Sequence, residues 1–191
     1  IGAEWSIAPA LTWLVDHHTN PALREDAAAA ESLGALLGVG ILRRSETSEL
    51  ELRPHYRLAR FTDEVLPDVD DKQLQARAGW QFESSRLDMD ADAAEQSTLT
   101  TELAETGIVQ TDANRRTYSA GFAWQLQHSE QNHFNVSAGW QDVDYTGAHE
   151  DQLVGYRYAT LQAGESFGLS PRTALIVGAF GSNLRSPERG S

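Results

Sequence analysis

Hydrophobic and polar residues alternate with a period of two in segment after segment of this chain. Trp5, Ile7, Pro9, Leu11, Trp13 and Val15 interleave with Ser6, Ala8, Ala10, Thr12 and Leu14. Leu50, Leu52, Pro54, Tyr56 and Leu58 interleave with Glu49, Glu51, Arg53, His55 and Arg57. Leu74, Ala76, Ala78, Trp80 and Phe82 interleave with Gln73, Gln75, Arg77, Gly79 and Gln81. Successive strand side chains point to opposite faces, so each segment reads as a β-strand with one apolar and one polar face. The pattern predicts nine strands, over 4–15, 32–42, 48–60, 72–83, 85–91, 116–127, 133–144, 153–166 and 173–183. In the eighth, Val154, Tyr156 and Tyr158 set one phase while Leu161 and Phe167 set the other, which predicts a bulge between them.

The connections alternate in length. Long ones span 16–31, 61–71, 92–115 and 145–152, and short ones span 43–47, 84, 128–132 and 167–172. Asn20-Pro21, Asp112-Ala113-Asn114 and Thr146-Gly147 supply turn chemistry in the long set. Short turns on one side and long loops on the other are the habit of up-and-down barrels that span an outer membrane. A soluble β-sandwich has no reason to keep that asymmetry.

Energetics decide which face looks outward. An Arg at the lipid midplane of a barrel costs roughly 2–4 kcal/mol. Arg53, Arg57 and Arg77 share the face opposite the Leu and Trp series, where Glu49, Glu51 and His55 can hydrate or pair with them. That face also collects Gly38, Gly40, Gly79, Gly121 and Gly139. Trp and Tyr near the strand ends suit the membrane interface, because each ring has an apolar body and a polar handle. The expected fold is therefore an antiparallel transmembrane β-barrel with a polar lumen. The alternative is a soluble β-barrel or sandwich that turns the Trp and Leu series inward around a small apolar ligand.

Composition is compatible with a barrel. The 191 residues fit one domain, and 40% of them are hydrophobic. A mean hydropathy of −0.44 resembles that of a soluble protein, but lumen-facing residues dilute the apolar signal of a barrel. No run approaches the roughly 18 apolar residues of a membrane helix. The chain holds no cysteine, which removes disulfides and thiol chemistry. Its net charge of −13 leaves no basic footprint for nucleic acid. The acids cluster at Asp63, Glu64, Asp68, Asp70 and Asp71, at Asp88, Asp90, Asp92 and Glu95, at Glu102, Glu105 and Asp112, and at Glu150 and Asp151. These groups are expected in loops or loop margins.

The later segments bear on family. Asp16-His17-His18-Thr19-Asn20 follows the first strand; Ser97-Thr98-Leu99-Thr100, Glu102-Leu103, Gly107 and Arg115-Arg116 mark the third long loop. Asp142-Val143-Asp144-Tyr145 ends a strand, and Leu169-Ser170-Pro171-Arg172-Thr173 makes a short turn. In these segments the chain resembles the outer-membrane β-barrel proteins found with exosortase and surface-polysaccharide systems of Gram-negative bacteria. The resemblance implies a membrane scaffold or pore, in contact with outer-membrane lipid and lipopolysaccharide and with export or polysaccharide machinery. It carries over no catalytic residue and no cofactor.

Two features depart from that family. Nine strands is an odd number, whereas bacterial single-chain barrels are even. The sequence also ends at Arg189-Gly190-Ser191 without the terminal aromatic residue the resemblance leads one to expect. With Ile1 preceded by neither Met nor a basic and apolar leader, the expectation is the N-terminal part of a longer barrel. A parent of about 14–16 strands would be about twice this length.

Candidate chemistry centres on Glu49, Glu51, Arg53, His55, Arg57 and Arg77, since mixed charges inside a barrel tune which solute passes. The competing role for these six is a salt-bridge network that stiffens the wall. Asp88, Asp90 and Asp92 resemble the start of a calcium loop, but Ala93 and Leu99 stand where an EF-hand needs Gly and Glu. They remain candidates for sharing divalent cations with lipid phosphates. Asp16, His17 and His18 offer metal-binding groups, although neighbours on a strand point to opposite sides. Ser119, His128 and His133 lack a G-x-S-x-G elbow, and Asp142 with Asp144 lacks a fixed carboxylate separation. A barrel hydrolase is the least supported expectation.

Overall fold

A computed structural model describes residues 2–18, 30–62, 68–98, 113–147, 153–170 and 172–186. Nine strands make one antiparallel sheet: β1 (Glu4–His18), β2 (Ala30–Arg44), β3 (Ser48–Phe61), β4 (Val69–Gln81), β5 (Ser85–Ser97), β6 (Asn114–Gln127), β7 (Asn132–Thr146), β8 (Tyr156–Ser170) and β9 (Thr173–Arg185). Each strand pairs with its sequence neighbour, in the order β1 to β9, so the sheet is an up-and-down meander. It is open: β1 and β9 are edges and no ladder joins them. No helical element occurs among the described residues, and none is long and apolar enough to cross a membrane.

The alternation of connection lengths holds. Three-residue turns follow β2 and β4, and the longest connection, 98–113, follows β5. The short turns interlock with neighbouring strands. Gln81 N donates to Thr47 O at 2.8 Å, Gln127 N to Ser84 O at 2.7 Å, and Gly168 N to Gln131 O at 2.9 Å. Gly168 has to be glycine, because a Cβ there would meet the Gln131 carbonyl oxygen at 3.0 Å. Gly147 opens the connection after β7 with φ 129°, a backbone state that L side chains rarely adopt.

Three expectations need correction. The strand expected over 85–91 continues to Ser97, because Leu87, Met89, Ala91 and Ala93 keep the period. Asp88, Asp90, Asp92 and Glu95 are therefore strand residues and not loop acids, as are Asp70 and Asp71 of β4. The bulge expected within β8 is absent: its pairing with β7 is unbroken from Tyr156 to Phe167. The phase change instead puts Tyr156 and Tyr158 on the polar face, and the one irregularity lies near the turn, between Gly168 and Ser170.

Direct cross-strand partners share a face, so the registers assign every strand side chain. The Trp5 series of β1 continues through Leu37, Leu52, Leu74, Met89, Phe122, Val136, Leu161 and Val177. The face opposite holds the Glu49–Arg57 series and its neighbours. Burial follows these faces in an inverted sense. Trp13 and Val15 of the apolar face are 69% and 77% exposed, whereas Val69 and Val143 of the polar face are 2% and 1% exposed. Ser32, Ala59, Asp71 and Ala94 are buried on the polar face as well, all toward the long connections. Ser97, at the tip of β5, is the buried strand residue that breaks the rule. The small core thus sits on the polar side, which marks it as the inner side of the curved sheet.

Candidate functional site

The inner face of β3, β4 and β5 is the most charged part of the sheet. Its rows follow from the registers: Glu51 lies opposite Arg77, which lies opposite Asp90, and Arg53 lies opposite Gln75, which lies opposite Asp92. Glu49, Gly79 and Asp88 form the next row toward the short turns. His55 with Gln73, and Arg57 with Asp71, form the rows toward the long connections. All six residues singled out from the sequence therefore share one face.

They do not form one site. Glu49, Glu51 and Arg77 border a cavity of about 810 Å³ together with Arg86, Asp88, Asp90 and Asp92. Arg53, His55 and Arg57 lie farther along β3 and outside its lining. Local ion pairs fix most of the charges. Arg53 Nη2 reaches Glu51 Oε1 at 2.6 Å, and Arg44 Nη2 reaches Glu49 Oε2 at 2.7 Å. Arg86 grips Asp88 with two bonds of 2.8 Å. Gln73 Nε2 donates to Asp92 Oδ2 at 2.8 Å. Arg77 stands between the carboxylates of Glu51 and Asp90 in its row and makes no ion pair among the described residues. It is the cavity's available cation.

His55 Nδ1 and Arg57 Nε are shielded from solvent and find no hydrogen-bond partner among the described residues. Asp71, opposite Arg57, is buried and accepts the Ser97 amide at 2.7 Å. This bond anchors the end of β5. Next to it, Thr98 Oγ1 donates to Ala113 O at 3.0 Å and accepts from Ala113 N at 3.1 Å. These two bonds tie together the ends of the longest connection.

The rest of the inner face divides into two sectors. Ser119, Gln125, Asn135, Ser137, Gln141 and Gln162 give β6–β8 a neutral amide and hydroxyl surface. Ala8, Ala10, Gly38 and Gly40 give β1 and β2 a surface of small residues. Several inner glycines are matched to a polar side chain that lies over them: Gly38 to His55, Gly79 to Asp88, Gly121 to Asp90, Gly139 to Thr160 and Gly164 to Asn135. Each of these is a direct cross-strand pair.

Asp88, Asp90 and Asp92 do not converge on a shared point. Alternate strand residues are about 6.6 Å apart, and Asp88 and Asp92 are each held by their own partner. No group of three or more His, Asp or Glu among the described residues is arranged to hold a metal ion. The side chains of Asp16, His17 and His18 lie outside the described residues, as do Asp63, Glu64, Glu102, Glu105, Asp112, Glu150 and Asp151. Asp142, of the former acid pair, is on the apolar face and is bonded to Arg157 Nε at 2.9 Å.

The outer face carries two rows of aromatic residues. Trp5, Trp80, Trp124 and Phe134 lie toward the short turns, with Trp124 and Phe134 meeting edge to face at 6.1 Å. Arg43 lies over the Trp5 ring at 6.0 Å. Trp13, Tyr56, Tyr118 and Trp140 lie toward the long connections. From Trp5 to Trp13 the strand rises about 26 Å, close to the height of a barrel's apolar band.

The sequence missed Arg44, Arg86 and the inward placement of Asp88, Asp90 and Asp92. The available signal was the continued alternation of Leu87, Met89, Ala91 and Ala93. No known protein family, curated protein or solved structure matches the chain.

Proposed function

We propose that the chain forms the wall of a β-barrel in the outer membrane of a Gram-negative bacterium. It acts there as a passive pore or as a structural component of a surface-polysaccharide or export system. The observation that carries this reading is the inverted burial. Large apolar side chains such as Trp13 and Val15 are exposed while the buried strand residues lie on the polar face. In water, that much exposed apolar surface would cost about 25 cal/mol per Å²; in hydrocarbon it costs nothing. The two aromatic rows agree with interfacial girdles. The link to surface polysaccharide rests on the family resemblance.

The open edges bear on the longer-barrel expectation. With nine strands in a meander, β1 and β9 run in the same direction. Closure with antiparallel seams throughout therefore needs an odd number of further strands. Solute would move by diffusion through the hydrated lumen, in a field set by Arg77, Glu51, Asp90 and their neighbours. The test is heat-modifiable migration on SDS gels, followed by conductance in planar bilayers. A protein that purifies as a soluble monomer without detergent would reject the reading.

One observation favours a second reading, an apolar-ligand binder. Pro9, Leu11, Leu37, Val39, Pro54 and Tyr56 line an apolar groove of about 530 Å³ on the outer face. Between Gly38–His55 and Ile41–Leu52 the β2–β3 pairing lapses at Pro54 without a change of register. Quenching of Trp fluorescence by a hydrophobic ligand in detergent-free buffer would support it.

A further inference from the structure

The apolar face is charged chiefly at one end. Toward the long connections, Lys72, Glu95, Arg116 and Asp144 stand side by side in a single row of alternating sign. One row closer to the middle of the sheet, Asp142, Arg157 and Arg185 are neighbours on β7, β8 and β9. At the short-turn end of the same face, the strands contribute Arg43 and Glu165. A bilayer with identical leaflets would not call for such a difference.

Within this rim, Arg157 and Arg185 are direct cross-strand partners. Like charges placed opposite each other destabilise a sheet, and the rim holds one nearby carboxylate for the two. Asp142 accepts Arg157 Nε at 2.9 Å, which leaves the terminal nitrogens of Arg157 free to reach outward. Arg185 Nε donates to the neutral Asn183 Oδ1 at 3.2 Å. Below the pair, Ala159, Leu161, Ala163, Val177 and Ala179 continue the apolar band. Two guanidinium groups at the upper edge of a lipid-facing surface match a phosphate, which each can bind in a bidentate manner.

We propose that Arg157 and Arg185 form a headgroup site for a phosphorylated lipid in the leaflet on the side of the long connections. The site rests on the membrane-spanning reading. The phosphate would sit between the two guanidinium groups and relieve their repulsion, while the acyl chains would follow the apolar surface below.

The test uses the intact protein, reconstituted in phosphatidylcholine vesicles that contain diphosphoryl lipid A or the same lipid without its phosphates. Flotation with the vesicles and protease protection score insertion. Native mass spectrometry after gentle detergent extraction scores retained lipid. The diphosphoryl form should be retained preferentially, and R157Q/R185Q should lose that preference by roughly fivefold per arginine removed. R185Q alone keeps the Arg157–Asp142 pair and should lose part of it, while R157K/R185K should retain part. An inserted protein that holds both lipid forms equally, or an R157Q/R185Q variant that binds like the wild type, would overturn the site and leave the membrane reading standing. Failure to insert in either vesicle would overturn both.

Discussion

The carboxylate of Asp90 on β5 lies across the Cα of its cross-strand partner Gly121 on β6. A methyl group at Gly121 would stand 2.9 Å from Asp90 Cγ. The same arrangement at Gly79 with Asp88 and at Gly139 with Thr160 indicates a rule for the inner face. On the concave side of a curved sheet, side chains converge, and a long polar group fits where its partner gives up its own side chain. The glycines on this face are thus space for their neighbours.

Gly121→Ala should force Asp90 away from its position and destabilise the sheet by about 1–3 kcal/mol, the usual cost of overpacking. Gly181→Ala on the outer face is the control, because nothing lies within 4 Å of its added Cβ. Urea-unfolding midpoints in detergent would compare the two. Equal midpoints would mean that Asp90 swings aside freely.

Arg77 offers the most direct test of the lumen. Arg77→Glu would place three acids in the row Glu51, Arg77, Asp90, so a conducting protein should shift toward cation selectivity. Arg116→Gln removes a cation from the outer face and should leave selectivity unchanged. Reversal potentials under a salt gradient read both. If Arg77→Glu does not move the reversal potential, Arg77 is not on the permeation path.

The face rule was legible wherever strong hydrophobes alternate with charges. In β3, the Leu50–Leu58 series against Glu49–Arg57 fixed both the strand and its facing. β5 was only half legible because its outer positions weaken from Leu87 and Met89 to Ala91 and Ala93, while Asp88, Asp90 and Asp92 have the composition of a loop. Tyr156 and Tyr158 misled because aromatic residues were taken to mark the outer face. Site geometry was hidden for a different reason. Asp90 over Gly121, and Asp71 on the Ser97 amide, join residues far apart in the chain. Only the pairing register brings them together, and no local spacing encodes it.

Asp71 should be the carboxylate most important to stability. Asp71→Ala would leave the buried Ser97 amide without its 2.7 Å acceptor, at a cost of about 1–3 kcal/mol. Asp71→Asn keeps a carbonyl oxygen at that point and should recover much of the loss. Protease cleavage near the end of β5, compared across the three proteins, would register the change locally. If Asp71→Ala resists cleavage as well as the wild type, the anchor is dispensable.

Leu37 and Gln75 together decide which face meets lipid. Leu37 is at the middle of β2 on the apolar face, 43% exposed, and Gln75 is near the middle of β4 on the polar face. If hydrocarbon covers the apolar face, Leu37→Arg should reduce the free energy of folding into vesicles by about 2–4 kcal/mol, and Gln75→Arg should change it little. If water covers that face, Leu37→Arg is an exposed surface substitution and should stay within about 0.5 kcal/mol of the wild type. If the apolar face is instead packed against another protein layer, Leu37→Arg should be as damaging in buffer as in lipid. Folding titrations of both variants, with and without vesicles, separate these cases. The membrane reading requires a penalty at Leu37 that appears only when lipid is present.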